Sequence, residues 1–491
     1  MRKVIDLQNR LFTESISAIQ FDLKSRDEIP KLLIGLQHIH NTPAIRDEVL
    51  KILTGIIPEN INRDTGRRGM DLWKVLVLGT LRLNCNWDYD KVQEIANEHR
   101  KVRQMMGHEE NEFLKRYGLQ TIKDNVSLLT PEILNRINDS VVRYGQSLLG
   151  KKSEKLHAAC DSFVVETDVH FPTDINLLFD AIRKVITTIA AVCDILGITE
   201  WRQHDHNLKT IKKLFNRARR LKPSTAKDEK KKTLRSEIIK AAYLNYTDTV
   251  NSFLRRTEQC IKTIRELHLD IEVFGFLMVT ENYISHADRQ IDQVRRRVTE
   301  GEKIPHDEKV FSVFEEHTEW ICKGKAGVGQ ELGLRVCIVK DQFGFILHHQ
   351  VMEKVTDDKI AVSIITETKK KFENLTGCSF DRGFYTPENK RKLKKILDNV
   401  VLPKKGKLSE KEKEEEYSPE FTESRRKHPA VESSINALEN HALDRCPDHG
   451  IHGFKRYVSM SILARNIQIV GHIIQQKKLK KQKRREQRLV A

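Results

Sequence analysis

Residues 158–165, Ala158-Ala159-Cys160-Asp161-Ser162-Phe163-Val164-Val165, form a short apolar run rich in β-branched side chains, the composition of a strand buried in a sheet. An aspartate stands inside it. A carboxylate on a buried strand costs free energy unless hydrogen bonds or a cation compensate its charge. Asp161 is therefore either a satisfied polar residue at a strand end or a group held there for chemistry. Asp168 and Asp174, a little downstream, compete for the same role, but neither is embedded in so apolar a run.

Beyond this strand the pattern becomes helical from residue 175 to about 300. Leu178, Ala181, Ile182, Val185, Ile189 and Val192 mark one apolar face. Val250, Phe253, Leu254, Ile261, Ile264 and Leu267 mark another. Between them lies a Lys- and Arg-dense stretch, 209–232, interrupted by Pro223-Ser224-Thr225. This region reads as a helical insertion into a mixed α/β domain.

Strands are expected again from about Lys309. Leu334–Val339 and Phe345–Val351 flank Asp341-Gln342-Phe343-Gly344, the pattern of a β-hairpin with a glycine-containing turn. Asp357 is placed to cap a helix whose Ile360, Ile364 and Ile365 face a sheet. Thr376–Phe380 then reads as a short strand delivering Asp381, followed by a basic helix at 387–397 and a strand at Val400-Val401-Leu402-Pro403. Residues 404–427 are charge-rich and read as a loop or exposed helix. Glu432 opens a last helical region, on the flank of a face made by Val431, Ile435 and Leu438. A strand, hairpin, helix and strand in this order suit a ribonuclease H-like mixed sheet with flanking helices.

Residues 1–150 read as a separate helical domain, with a strongly apolar stretch from Leu72 to Leu83 and a basic lead-in that includes Arg67 and Arg68. The expected division is then 1–150 helical, 151–174 first part of the α/β core, 175–300 insertion, 301–472 remainder of the core, and 473–491 a basic tail. The chain of 491 residues carries 86 Lys and Arg against 69 Asp and Glu, a net charge of +17 that favours polyanionic partners. Its eight cysteines include no CxxC pair, which argues against a disulfide scaffold or a Cys-rich zinc ribbon. No apolar run approaches the roughly 20 residues of a membrane span, and the opening MRKVIDLQNRLFTESIS has no apolar core after its basic residues. A cytoplasmic, nucleoid-associated protein without membrane contact is expected.

Asp161 and Asp381 at strand ends, with Glu432 on a helix, form a candidate carboxylate triad of the kind that holds two divalent cations for phosphoryl transfer. The surrounding sequence resembles bacterial insertion-sequence transposases of the DDE class, most closely the ISNCY-type group. The resemblance extends over nearly the whole chain and is most specific in DSFVVETDVHFPTDINLL (161–178), RQIDQVRRRVTEGEKIPHDEKVFSVFEEHTEWICKGKA (289–326), SFDRGFYTPEN (379–389) and AVESSINALENHALDRCPDHGIHGFKRYVSMSILARNIQIVG (430–471). It implies a ribonuclease H-like catalytic core, with Asp161, Asp381 and Glu432 as catalytic and metal-binding residues and Mg²⁺, or Mn²⁺ in its place, as cofactor. It further implies double-stranded DNA, both element ends and target, as partner, and a homodimer or higher oligomer on DNA; the helical domain at 1–150 is the candidate for recognising the ends, since a compact helical module can lay one helix in a major groove. Seven residues beyond Glu432, where related transposases often carry Lys or His, this chain has Glu439.

Arg67, Arg68, Arg382, Arg425, Arg426, Lys455 and Arg456 are candidates for neutralising DNA phosphates, with ordinary solvated surface charge as the competing reading. Cys446, His449 and His452 make only a partial zinc-ligand set, because no second pair has matching spacing. Two other functions compete with transposition: a catalytically idle DNA-binding protein derived from a transposase, and a ribonuclease H-like nuclease that cuts without joining.

Overall fold

A computed structural model of the chain describes residues 3–4, 15–57, 69–108, 115–267, 270–322 and 329–490. It divides into two compact units, Met1–Asp168 with Ile321–Ala491, and Val169–Trp320. The insertion therefore runs somewhat longer at both ends than the helical periodicity indicates.

In the first unit, helices α1 (Glu28–Asn41), α2 (Pro43–Thr54), α3 (Leu72–Asn84), α4 (Tyr89–Glu98), α5 (Arg100–Met105), α6 (Leu119–Val126) and α7 (Pro131–Ser147) precede strand β1 (Leu156–Thr167). The second unit contributes α8 (Asp174–Leu196), α9 (His204–Arg220), α10 (Glu229–Arg265) and α11 (Ile271–Arg295). The chain returns through β2 (Glu319–Cys322), β3 (Gln330–Asp341), β4 (Ile346–Met352), α12 (Asp357–Lys371), β5 (Leu375–Phe380), α13 (Pro387–Ile396) and β6 (Asn399–Val401). Short helices α14 (Glu410–Glu416) and α15 (Pro419–Lys427) lead to α16 (Ala430–Leu438), β7 (Arg445–Cys446) and the long α17 (Gly450–Val490).

The seven strands among the described residues form one mixed sheet in the order β2-β3-β1-β5-β6, with β4 also pairing with β3 and β7 with β1. β1 runs antiparallel to β3 and β3 to β4, whereas β1/β5 and β5/β6 are parallel. The β3–β4 hairpin falls where the alternation places it, and Gly344 turns it with φ of 97°. Thr356, not Asp357, occupies the cap position of α12, which makes Asp357 the first helical residue.

The N-terminal helices are not a separate domain. Their buried side chains belong to one core with those of the sheet and of α17. The cause is α17, whose apolar residues Val458, Ile462, Leu463, Ile467 and Val470 are buried, and which packs on α1, α3, α7 and β4. Its fully buried Asn466 accepts from the Ile346 N–H at 3.0 Å and donates to the Ile346 carbonyl at 2.9 Å, satisfying backbone groups where the β3–β4 register shifts. The basic segment after 473, which the sequence allows to extend the preceding helix, continues α17 as far as Val490.

Helices α1 and α17 cross at two glycines. A Cβ on Gly471 would lie 1.9 Å from the Lys31 carbonyl oxygen, and one on Gly35 would lie 2.3 Å from that of Ile467. Alanine at Gly471 gains about 1 kcal/mol of helix propensity. Forcing the backbones apart costs more, about 3 kcal/mol. Gly471→Ala should therefore lower the urea midpoint of the first unit, and an unchanged or raised midpoint would refute the close crossing.

Asp341 closes the hairpin by accepting from the N–H groups of Phe343 and Phe345, each at 2.9 Å, and from Gln146 Nε2 at 3.0 Å. Burial raises its pKa to about 6, against the opposing pull of these hydrogen bonds. The folded chain thus holds a proton that the unfolded chain releases near pH 4, and stability falls by about 2–3 kcal/mol as pH rises from about 4 to about 6. Asp341→Asn keeps the shape without ionising. Its urea stability relative to wild type should improve across that window, and a constant difference would show that Asp341 does not titrate there.

The second unit is a helical assembly with its own core. The predicted α8 face is buried, as are Val250, Leu254, Ile261 and Ile264 of α10. Phe253 is only partly buried and Leu267 is exposed. Among the described residues of the whole chain, no helix is long and apolar enough to cross a membrane.

Candidate active site

Burial alternates along the start of β1: Leu156, Ala158 and Cys160 are buried, while His157, Ala159 and Asp161 open toward the other face. Register then brings Asp161 to Asp381. Cys160 stands opposite Phe380 in the parallel β1/β5 pair, so both aspartates follow a registered pair, Asp381 just past the carboxyl end of β5 and Asp161 not at a strand end as expected but midway along β1, where its pairing with β5 stops. Neighbouring strands lie about 4.8 Å apart, and residues in parallel register project to the same face. Carboxyl ends of parallel strands beside a reversal of strand order are where α/β sheets place ligands.

Glu432 arrives from a different element. Val431, Ile435 and Leu438 are buried along one face of α16, which packs against β1 and leaves Glu432 exposed at its rim. The start of that helix is fastened on both sides. Lys340 Nζ of β3 donates to the Ala430 carbonyl at 2.8 Å, and His428 Nδ1 lies 2.9 Å from Ser379 Oγ of β5.

Electrostatics place these groups in one field. Burial pushes the Asp161 carboxyl up to about 7, opposed by the Ser162 N–H that donates to its Oδ1 at 2.8 Å, and the charges of Asp381, Asp357 and Glu432 raise it further. Burial lowers the pKa of His428, and the same Asp381 and Glu432 pull it back upward. Two ionisable groups on different elements therefore sense the same carboxylates.

Asp357 is a fourth acid that the sequence reading did not assign to the site. Ser162 Oγ donates to Asp357 Oδ1 at 2.7 Å, and a Cβ on Gly383, in the turn after Asp381, would lie 3.1 Å from Asp357 Oδ2. Acidic residues in the first turn of a helix are common because they suit its dipole, which conceals this one in the sequence. The fold ties it to the site through Ser162, beside Asp161, through the Gly383 turn after Asp381, and through its charge on Asp161.

Four carboxylates are a hard, oxygen-only donor set, matching Mg²⁺ or Mn²⁺ rather than zinc. Among the described residues, no three His, Cys, Asp or Glu side chains are gathered as a complete ligand group, and this holds for Cys446, His449 and His452 as well. Mg²⁺ is compatible with the carboxylates as they stand, since it is usually held by one or two of them together with waters and substrate phosphates.

The other candidates divide. Arg382 is exposed immediately after Asp381, and Arg425 and Arg426 are exposed on α15. Arg426 also lines a cavity of about 610 Å³ over the sheet, with His157, Ala159 and Ser379. Lys455 instead pairs with Glu353 at 2.6 Å, and Arg456 with Asp448 at 3.0 Å. Arg67 and Arg68 lie outside the described residues. Asp168 stands 3.6 Å from Arg445, and Asp174 is bound to Arg297 at 2.5 Å in the first turn of α8. Glu439 follows α16 directly and leads into a kink at His441 and Ala442, where the backbone leaves helical geometry and His441 Nδ1 bonds to the Asn84 carbonyl.

Comparison of the chain with protein-family models, with curated proteins and with solved structures found no match.

Proposed function

We propose that the chain is a DNA transposase of the DDE class, which cuts at the ends of a mobile element and joins them to target DNA. The observation that carries this reading is the register of β1 and β5, which sets Asp161, midway along β1, beside Asp381 at the end of β5 and in the field of Glu432. The order β4-β3-β1-β5-β6, antiparallel on one side of β1 and parallel on the other, supports a ribonuclease H-like core.

In this reading Asp161, Asp381 and Glu432 hold Mg²⁺ or Mn²⁺, which when bound lowers the pKa of an attacking water or 3′-hydroxyl and stabilises the leaving oxygen. The chain's own residues prepare that place. The Ser162 N–H fixes the orientation of Asp161, and Ser162 Oγ does the same for Asp357. Arg382, exposed and next to Asp381 in the chain, supplies a cation suited to a phosphate of the strand being cut. The net charge of +17 supplies sequence-independent attraction to DNA. Holding two element ends together calls for a dimer or higher oligomer on DNA.

The test is cleavage and strand transfer on duplexes carrying the element ends, with Mg²⁺ or Mn²⁺ and without. Joined products that require the cation are expected. Cleavage without joining would assign a nuclease, and end binding without cleavage would assign a DNA-binding protein derived from a transposase.

A further inference from the structure

Helix α9 of the second unit is two-faced. Ile211, Phe215 and Ala218 are buried, and Phe215 stacks on Phe179 of α8 with ring centroids 4.6 Å apart. On the opposite side Lys209, Lys212, Lys213, Arg217 and Arg220 are all exposed. Their spacing, with Asn216 in the middle, keeps them within one stripe of a 3.6-residue helix, about 16 Å long. The same residues line a concave surface of about 660 Å³.

None of these five cations has a carboxylate partner among the described residues, although the rest of the unit pairs its arginines readily. Arg255 lies 2.7 Å from both Glu258 and Asp288, Arg265 lies 2.9 Å from Glu281, and Arg295 lies 2.7 Å from Asp248. Arg296 pairs with Glu302 and Glu308, and Arg297 with Asp174. Like charges so closely spaced repel one another, at some cost to the helix. A ligand that supplies several negative charges at fixed intervals removes that repulsion.

We propose that the exposed stripe of α9 is a DNA-contact surface, binding the phosphates of a duplex through Lys209, Lys212, Lys213, Arg217 and Arg220. An α-helix fits the roughly 12 Å major groove, where flanking cations reach phosphates on either side and a central asparagine faces base edges. The choice of duplex DNA as the polyanion rests on the proposed function, while the unpaired stripe does not.

The experiment measures binding of the full chain to a short fluorescent duplex of arbitrary sequence over a series of salt concentrations. It compares wild type with the fourfold variant Lys212→Gln, Lys213→Gln, Arg217→Gln and Arg220→Gln. The variant should bind on the order of 100-fold more weakly at moderate salt, and its slope of log affinity against log salt should be shallower by about 3–4. Lys209→Arg, Lys212→Arg and Lys213→Arg together should retain wild-type binding, since the charges remain. All substituted side chains are exposed, and an unchanged thermal melt separates lost contact from lost fold. Equal affinity and slope in wild type and the fourfold variant would overturn the proposal. So would loss of binding to phosphatidylserine vesicles with duplex binding intact, which would assign the stripe to an anionic lipid surface. Wild type that binds duplex through this stripe but never cuts would remove the transposase reading and leave this one. Wild type that cuts and joins, with a fourfold variant that binds equally well, would do the reverse.

Discussion

Asp381→Asn is expected to lower cation-dependent strand cleavage by at least ~10³-fold, equivalent to about 4 kcal/mol of transition-state stabilisation, with DNA binding retained. Asparagine preserves the size of the side chain and its position at the end of β5 but removes the negative charge. Because Asp381 is exposed, the substitution should leave stability nearly unchanged, so lost activity cannot be ascribed to unfolding. Glu432→Gln should behave alike, since it too is exposed at the rim of its helix. The readout is strand cleavage and joining beside duplex binding and a thermal melt of each variant. Activity within a few-fold of wild type in either variant would take that residue out of the active site. Asp357→Asn extends the same comparison to the acid that only the fold brought in.

The largest stability effect is expected at Asp448. Arg82 is almost wholly buried on α3, and its guanidinium lies 2.8 Å from Asp448 Oδ1, while Arg456 approaches Oδ2 at 3.0 Å. Tyr89 and Tyr457 flank Arg82, with ring centroids 4.0 and 5.3 Å from the guanidinium carbon. Aromatic faces attract a cation but do not neutralise it. Asp448→Ala would leave a buried positive charge without its counter-ion, a loss of about 3–5 kcal/mol. Replacing the pair outright, Arg82→Met with Asp448→Leu, removes both charges and should recover most of that loss. Urea unfolding of wild type, Asp448→Ala and the double variant tests this. A double variant no more stable than Asp448→Ala would show that packing, not charge, governs the site.

Much of the fold was legible because its signals are local. The β-branched run around Asp161, the hairpin turn at Asp341–Gly344 and the apolar faces of α8 and α16 each follow from periodicity within a few turns of chain. The strands bearing Asp161 and Asp381 and the helix bearing Glu432 formed where the pattern put them. The N-terminal boundary was not legible. An amphipathic helix announces which face it buries but not against what, and α17, remote in sequence, joins α1, α3 and α7 to the sheet.

What the sequence determined by itself is therefore the set of elements and the acids worth examining among them, since side-chain periodicity and backbone preference act between near neighbours. Tertiary structure alone decided which charges meet. It brought Asp357 to Ser162, engaged Lys455 with Glu353 and Arg456 with Asp448, bound Asp174 to Arg297, and left Lys209, Lys212, Lys213, Arg217 and Arg220 of α9 without carboxylate partners among the described residues. The physical reason is range. Ion pairs and carboxylate clusters form over a few ångströms in space between residues far apart in the chain, and no pattern along the sequence encodes that distance.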